Sequence, residues 1–186
     1  FKWIGLNNPT IVEHLGVAGS LNDPHNPGHS GTEDAISVAA SAWQTPTSPE
    51  SFTSHGPVTR TVDADSNRIP LQVIEKPLIT AGDRTRTSVT GFGIFTGTSA
   101  AAANAAAIGA LLLSFDPLLT PTEVRDALMD SATDIADVGF DRVTGAGLID
   151  SVDAMLVVSG GVLPLVGDRG GDLDDTFTLV VNAANS

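Results

Sequence analysis

Cysteine is absent from the 186 residues, which removes disulfides, thiolate zinc sites and cysteine nucleophiles together. Basic residues are scarce. Nine Lys and Arg, of which only Lys2 and Lys76 are lysine, stand against 22 Asp and Glu, giving a net charge of −13 and a pI near 4.3. A surface of that sign repels phosphate backbones and anionic lipid, so neither nucleic acid nor a membrane is expected as a partner. The mostly apolar run from Ser99 to Phe115 would reach about 25 Å as a helix, short of the roughly 20 residues a bilayer span needs. At Phe1 there is no charged n-region with a following apolar core, so no signal peptide is read and the chain is expected to be a piece of a longer polypeptide. What remains is a packed globular composition, 41% hydrophobic and 17% charged, long enough to bury a sizeable core.

Hydrophobic patterning divides the chain. Phe1 to Leu6 and Ala35 to Ala40 are short apolar runs of the kind that form buried strands. Residues 19–34 and 44–70 are rich in turn formers and read as surface loops that include a hairpin. Leu71 to Thr80 offers a further strand pair, and Thr87 to Thr96 leads into the alanine-rich run. Within that run Ile108, Leu111, Leu112 and Phe115 recur at helical spacing, while alanines cover the first half on all sides, which predicts a buried helix. Asp116-Pro117 ends it. Thr120-Pro121-Thr122-Glu123 then supplies an N-cap, a first-turn proline and a capping-box glutamate for a second helix with Val124, Ala127 and Leu128 inward. Asp150 caps a third helix carrying Val152, Met155 and Leu156. Ser159-Gly160-Gly161 breaks the pattern, and Phe177 to Val181 is strand-like, so residues 159–186 are expected to be a linker and the beginning of a β-type domain.

Gly97-Thr98-Ser99-Ala100-Ala101 opens the long helix. A serine in the first turn sits where unpaired N–H groups and the positive end of the dipole favour developing negative charge. If its Oγ attacked a carbonyl, the oxyanion could be held by the serine's own N–H. Small residues at Gly97, Ala100 and Ala101 would let a substrate backbone approach. The plainer alternative is that Thr98 or Ser99 simply caps the helix.

At these residues the chain resembles the subtilases, whose nucleophile lies in a Gly-Thr-Ser-x-Ala-x-Pro motif; Gly97, Thr98, Ser99 and Ala101 match it. Ser51-Phe52-Thr53-Ser54-His55-Gly56-Pro57 is similar to the family's S-F-S-S-x-G-P, and Lys76-Pro77-Leu78-Ile79-Thr80-Ala81 to its K-P-D-I-x-A. Gly28-His29 with Ala35 to Ala40, Leu119-Thr120-Pro121, and Gly145-x-Gly147-Leu148-Ile149 follow in the family's order, so the resemblance covers residues 1–158. It implies an α/β, subtilisin-like fold: a parallel sheet with a buried central helix, here a partial domain, followed by the start of a β module. It also implies a Ser-His-Asp endopeptidase acting on protein or peptide, with Ser99 as nucleophile, Gly97 and Thr98 beside the substrate, and a secreted or cell-surface location. The family's Asp strand and its H-G-T helix would both precede Phe1, in an upstream part of the same polypeptide, leaving this chain alone inactive.

For the oxyanion hole the resemblance implies an asparagine at the end of a buried strand; Asn7, after Phe1 to Leu6, is the first choice and Asn8 the second. Both are also ordinary turn formers before Pro9. His29-Ser30-Gly31-Thr32 imitates H-G-T but belongs by its neighbours to the loop before the second strand; His14, His25 and His55 read as loop or packing residues. Ala103 stands where the family has proline, Asn104 where histidine is common, Leu78 where an acid is usual and Gly82 where proline follows alanine. Losing the proline removes a helix irregularity one turn after Ser99, which leaves room for a catalytically inactive scaffold or binding module. No cofactor is required. Calcium stays unassigned: Asp63-Ala64-Asp65-Ser66-Asn67 has the opening of a calcium loop, but Arg68 and Ile74 stand where glycine and glutamate are needed. Asp168, Asp172, Asp174 and Asp175 read as solvated.

Overall fold

The computed structural model describes residue 26, residues 28–166 and residues 176–180. The expected strand Phe1 to Leu6, Asn7 and Asn8, His14 and His25, and the aspartates at 168, 172, 174 and 175 lie outside the described residues. After a short 3-10 turn at Gly28–Gly31 come β1 (Val38–Ala42), β2 (Val58–Val62), β3 (Arg68–Ile74), β4 (Ile79–Asp83), β5 (Thr85–Arg86) and β6 (Ile94–Phe95). The helices α1 (Thr98–Phe115), α2 (Pro121–Asp130) and α3 (Ser151–Val158) follow, then β7 (Val162–Val166) and β8 (Thr176–Val180).

β1 and β4 run parallel, in register from Val38 opposite Ile79 to Ala42 opposite Asp83. Buried on both faces, such strands need no polar alternation, which is why the run around Ala39, Ala40, Ile79 and Ala81 is apolar or small throughout. The outer edge of β1 is partly closed by a side chain. Thr53, itself buried, donates its hydroxyl to the Ala40 carbonyl at 3.3 Å and accepts the Ala40 N–H at 3.2 Å, doing the work of a neighbouring strand. On the far side of β4, Thr80 bonds Gly147 and Ile149 through backbone N–H and C=O at 2.7 and 2.9 Å. The segment around Gly145-Ala146-Gly147-Leu148 therefore lies alongside β4 like a further strand, and Leu148 is bonded in turn to Thr133 on its other side. Lys76 is buried just before β4, its Nζ donating to the Ala35 carbonyl. Burial pushes that amine below the ordinary lysine value; Arg125 adds to the effect and Asp34 opposes it.

α1 lies across β1 and β4, burying Ala100, Ala101, Ala105, Gly109 and Leu112. The small residues bring the helix close, and Leu112, fully buried, contributes roughly 1.5–3 kcal/mol. The expectation of burial on all sides is corrected here. Ala102, Ala103, Ala106, Ala107, Ala110, Leu111 and Leu113 are exposed, because the described strands and helices pack against one face of α1 only.

α2 begins as its sequence predicts. Thr120 Oγ1 accepts the Glu123 N–H, and the Glu123 carboxylate takes the Thr120 N–H at 2.7 Å. The Thr120 N–H and, at 2.7 Å, the Thr120 hydroxyl both donate to that carboxylate and hold the Glu123 carboxyl below its usual range. Val124, Ala127 and Leu128 join the core, as does Ala154 of α3, whose N-cap Asp150 accepts from Val152 and Asp153. Thr120→Ala is expected to cost about 1 kcal/mol, seen in thermal unfolding as a drop of about 2–4 °C.

β2, in the second half of the 44–70 loop, pairs antiparallel with β3, which starts there and runs on to Ile74; both are largely exposed. The acidic turn between them is internally bonded: Asp63 accepts from the Asp65 and Asn67 backbones and from Asn67 Nδ2, with Ser66 at a φ of 68°. Those bonds, chiefly the Asn67 backbone, hold the Asp63 carboxyl below its usual range. β7 and β8 pair antiparallel beyond α3.

Candidate active site

Ser99 occupies the second position of α1 and is exposed. The turn that delivers it begins in the short antiparallel pair of β5 and β6, where Thr85 faces Phe95 and Arg86 faces Ile94. Phe92 and Phe95 meet edge to face at 6.0 Å in this hairpin. The chain then turns through Gly97, whose φ of 131° and ψ of 165° suit only glycine. A Cβ there would have open space, its nearest neighbour the Ser99 nitrogen at 3.8 Å. The glycine answers a backbone demand rather than a steric one.

The N-cap falls on Gly97, so neither Thr98 nor Ser99 is the capping residue. The Gly97 carbonyl accepts from the Ala100 and Ala101 N–H groups at 2.9 and 3.3 Å. No backbone partner among the described residues takes the Thr98 or Ser99 N–H. The first turn carries no acidic side chain, so donors and dipole face outward beside an exposed hydroxyl, an arrangement suited to a developing oxyanion. Ala100 and Ala101, expected to line a substrate approach, are instead buried against the core. Of the three small residues proposed for that role, Gly97 alone lies at the surface side of the turn.

One side chain outside the motif reaches this turn, and another ties α1 to the strands beside it. Asp83, at the end of β4 and 1% exposed, accepts the Gly97 N–H on Oδ1 at 2.8 Å. Asn104, five residues beyond Ser99, donates Nδ2 to the Gly82 carbonyl at 2.7 Å and to Thr85 Oγ1 at 2.9 Å. Neither contact has a local sequence signal, since each joins residues far apart in the chain. Next to Asp83, Arg84 points away into an ion pair with Glu50 at 2.8 Å.

The histidines take other places. His29 is exposed in the 3-10 turn, where its carbonyl accepts the Thr32 N–H and hydroxyl. His55 is half-buried in the loop before β2, next to Gly56, whose N–H bonds the Arg142 carbonyl. Among the described residues no group of three His, Asp or Glu side chains is placed to hold a metal ion.

Residues 17–147 match the sequence model of the subtilase family. Among solved structures, the patellamide maturation protease PatA superposes with a TM-score of 0.52 at 22% identity, covering 71% of this chain and 46% of that one. The prenylagaramide maturation protease PagA gives 0.50 at 24% identity, covering 68% and 43%. A psychrophilic subtilisin-like protease from the Antarctic psychrotroph Pseudoalteromonas sp. AS-11 is 31% identical over 36% of this chain and 15% of its own, with a TM-score of 0.35. The chain thus spans less than half the length of each of these three structures. No curated protein matches it.

Proposed function

The chain belongs to the subtilase family, and from that premise we propose that it is the nucleophile-bearing part of a serine endopeptidase domain. The observation that carries the reading is the exposed Ser99 in the first turn of α1, free of a capping role, with no backbone partner among the described residues for the Thr98 and Ser99 N–H groups. Ser99 Oγ attacks the peptide carbonyl carbon as a histidine removes its proton. The C–N bond breaks, the departing amine takes that proton, and water releases the acyl group by the same steps in reverse. The oxyanion is held by the Ser99 N–H with the amide of Asn7, or of Asn8 as second choice, while Gly97 and Thr98 border the substrate. Each such donor typically matters by about 10²–10³ in rate.

The histidine and aspartate come from an upstream part of the same polypeptide. In support, the outer face of α1 is apolar yet exposed. It forms one wall of a groove of about 480 Å³ with Ile36, Val38 and Leu119, a face that a longer α/β domain would cover. Residues 1–158 are assigned to the peptidase domain and 159–186 to a linker and the opening of a β-type domain, in keeping with the β7 and β8 pair. The substrate is protein or peptide. The acidic surface argues against nucleic acid and membranes, and, in line with the family resemblance, the protein acts outside the cell or on its surface.

A serine-directed phosphonate tests the assignment. The complete polypeptide is expected to label at Ser99 and the isolated chain to stay unlabelled, because a serine without its base is a poor nucleophile. Equal labelling of Ser99→Ala rejects the nucleophile. A complete polypeptide that refuses the label is the inactive scaffold instead.

A further inference from the structure

We infer that Asp83 and Asn104 are positioning residues for Ser99, a two-sided clamp that fixes the start of α1 against the end of β4. The inference rests on the reading of Ser99 as nucleophile. Gly97, two residues before it, has the widest conformational freedom of any residue and no side chain to lodge in its surroundings. Left alone, such a joint would let the first turn of α1 rock. Beyond the Ala100 and Ala101 N–H groups on the Gly97 carbonyl, α1 supplies no side-chain restraint of its own there, since its N-cap makes no side-chain bond and its first turn carries no acid.

Asp83 supplies the restraint from across the fold. Its Oδ1 takes the Gly97 N–H at 2.8 Å, and a hydrogen bond to a carboxylate is about twice as strong as one between neutral groups. The other oxygen, Oδ2, is buried with no hydrogen-bond partner among the described residues. A polar atom left so costs stability, and a small apolar residue in its place would avoid that cost. The carboxylate is therefore explained by what Oδ1 holds and not by a contribution to the core.

Asn104 closes the other side. Its amide bridges the Gly82 carbonyl and the Thr85 hydroxyl at 2.7 and 2.9 Å, the residues on either side of Asp83 and Arg84. The same stretch of β4 and β5 is thus bonded to α1 ahead of Ser99 and again one turn beyond it. These bonds flank Ser99 in sequence and leave its hydroxyl uninvolved. They restrain the helix at the position where Ala103 lacks the ring of a proline. Displacement of a reacting group by about 1 Å costs as much as 10²-fold in rate, so loosening this clamp should act on turnover.

The experiment compares Asp83→Asn, Asp83→Ala, Asn104→Ala and Ser99→Ala in the full-length polypeptide on a chromogenic peptide, each checked for a native melting transition. Asp83→Asn keeps an acceptor for the Gly97 N–H and should hold kcat within about threefold. Asp83→Ala and Asn104→Ala should lower kcat about 10- to 100-fold with KM within about twofold. A folded Asp83→Ala with unchanged kcat overturns the inference. If that variant does not fold, unchanged kcat in Asn104→Ala overturns it equally. Full activity in Ser99→Ala is a different failure, one that removes the nucleophile reading itself.

Discussion

Ser99→Ala in the full-length polypeptide should lower kcat by a factor on the order of 10⁴–10⁶ while KM changes little. The size follows from the chemistry: without Oγ there is no acyl-enzyme, and the oxyanion donors and substrate contacts that remain can only assist direct attack by water. The structure adds a second, independent expectation. Ser99 is exposed and does not cap α1, so the melting temperature should move by less than about 1 °C, as for a surface change. Steady-state kinetics on a chromogenic peptide and a thermal melt on the same preparation read both. A loss of activity accompanied by an equal loss of folded protein would place Ser99 in the framework instead of the reaction.

Gly147→Ala should be the most damaging of the stability changes, costing about 3–5 kcal/mol in denaturant unfolding. Two effects add. Gly147 has a φ of 119°, which an L side chain rarely adopts, and a Cβ placed there would stand 2.1 Å from the Thr133 carbonyl oxygen. That oxygen already accepts the Leu148 N–H at 2.8 Å, while the Gly147 carbonyl holds the Thr80 N–H at 2.7 Å. Relief by movement therefore breaks the bonding on both sides of this segment at once. Gly93→Ala is the control. Its Cβ would meet nothing within 4 Å, and its effect should stay within about 0.5 kcal/mol. Similar losses in the two variants would mean that the segment beside β4 has more freedom than its bonding implies.

What could be read from sequence was local. Thr120 with Glu123, and Asp150 ahead of α3, announce helix starts through residues two or three apart, and both caps form as read. β1 is legible from its run of small and apolar residues, though it starts at Val38 and not at Ala35; the strand pair expected over Leu71 to Thr80 is instead the end of β3 and the start of β4, which pair with different partners, β2 and β1. The hairpin expected among the loops is β2 with β3, but its bounds and register are not legible, because both strands are mostly exposed and carry no alternation. The exposed face of α1 was misread for a related reason: alanine has the same composition signal whether or not anything covers it. At the candidate site, the motif around Ser99 is visible and Asn104 stands out as a departure from the family's pattern, but its bonds to Gly82 and Thr85 leave no sequence signal, and neither does Asp83. A carboxylate 14 residues from the N–H it accepts leaves no periodic trace. Thr53 falls within the Ser51 to Pro57 motif, yet its pairing with Ala40 emerges only in three dimensions.

The division of labour at the head of α1 bears on how this lineage can change. The group that would do the chemistry and the groups that anchor the helix are different residues, Ser99 on one hand and Asp83 with Asn104 on the other. A descendant that lost the hydroxyl would keep its shape and its solubility. Selection could then retain it for adhesion or recognition without first repairing the fold, so the passage from cutting to merely holding a target is a single mutational step.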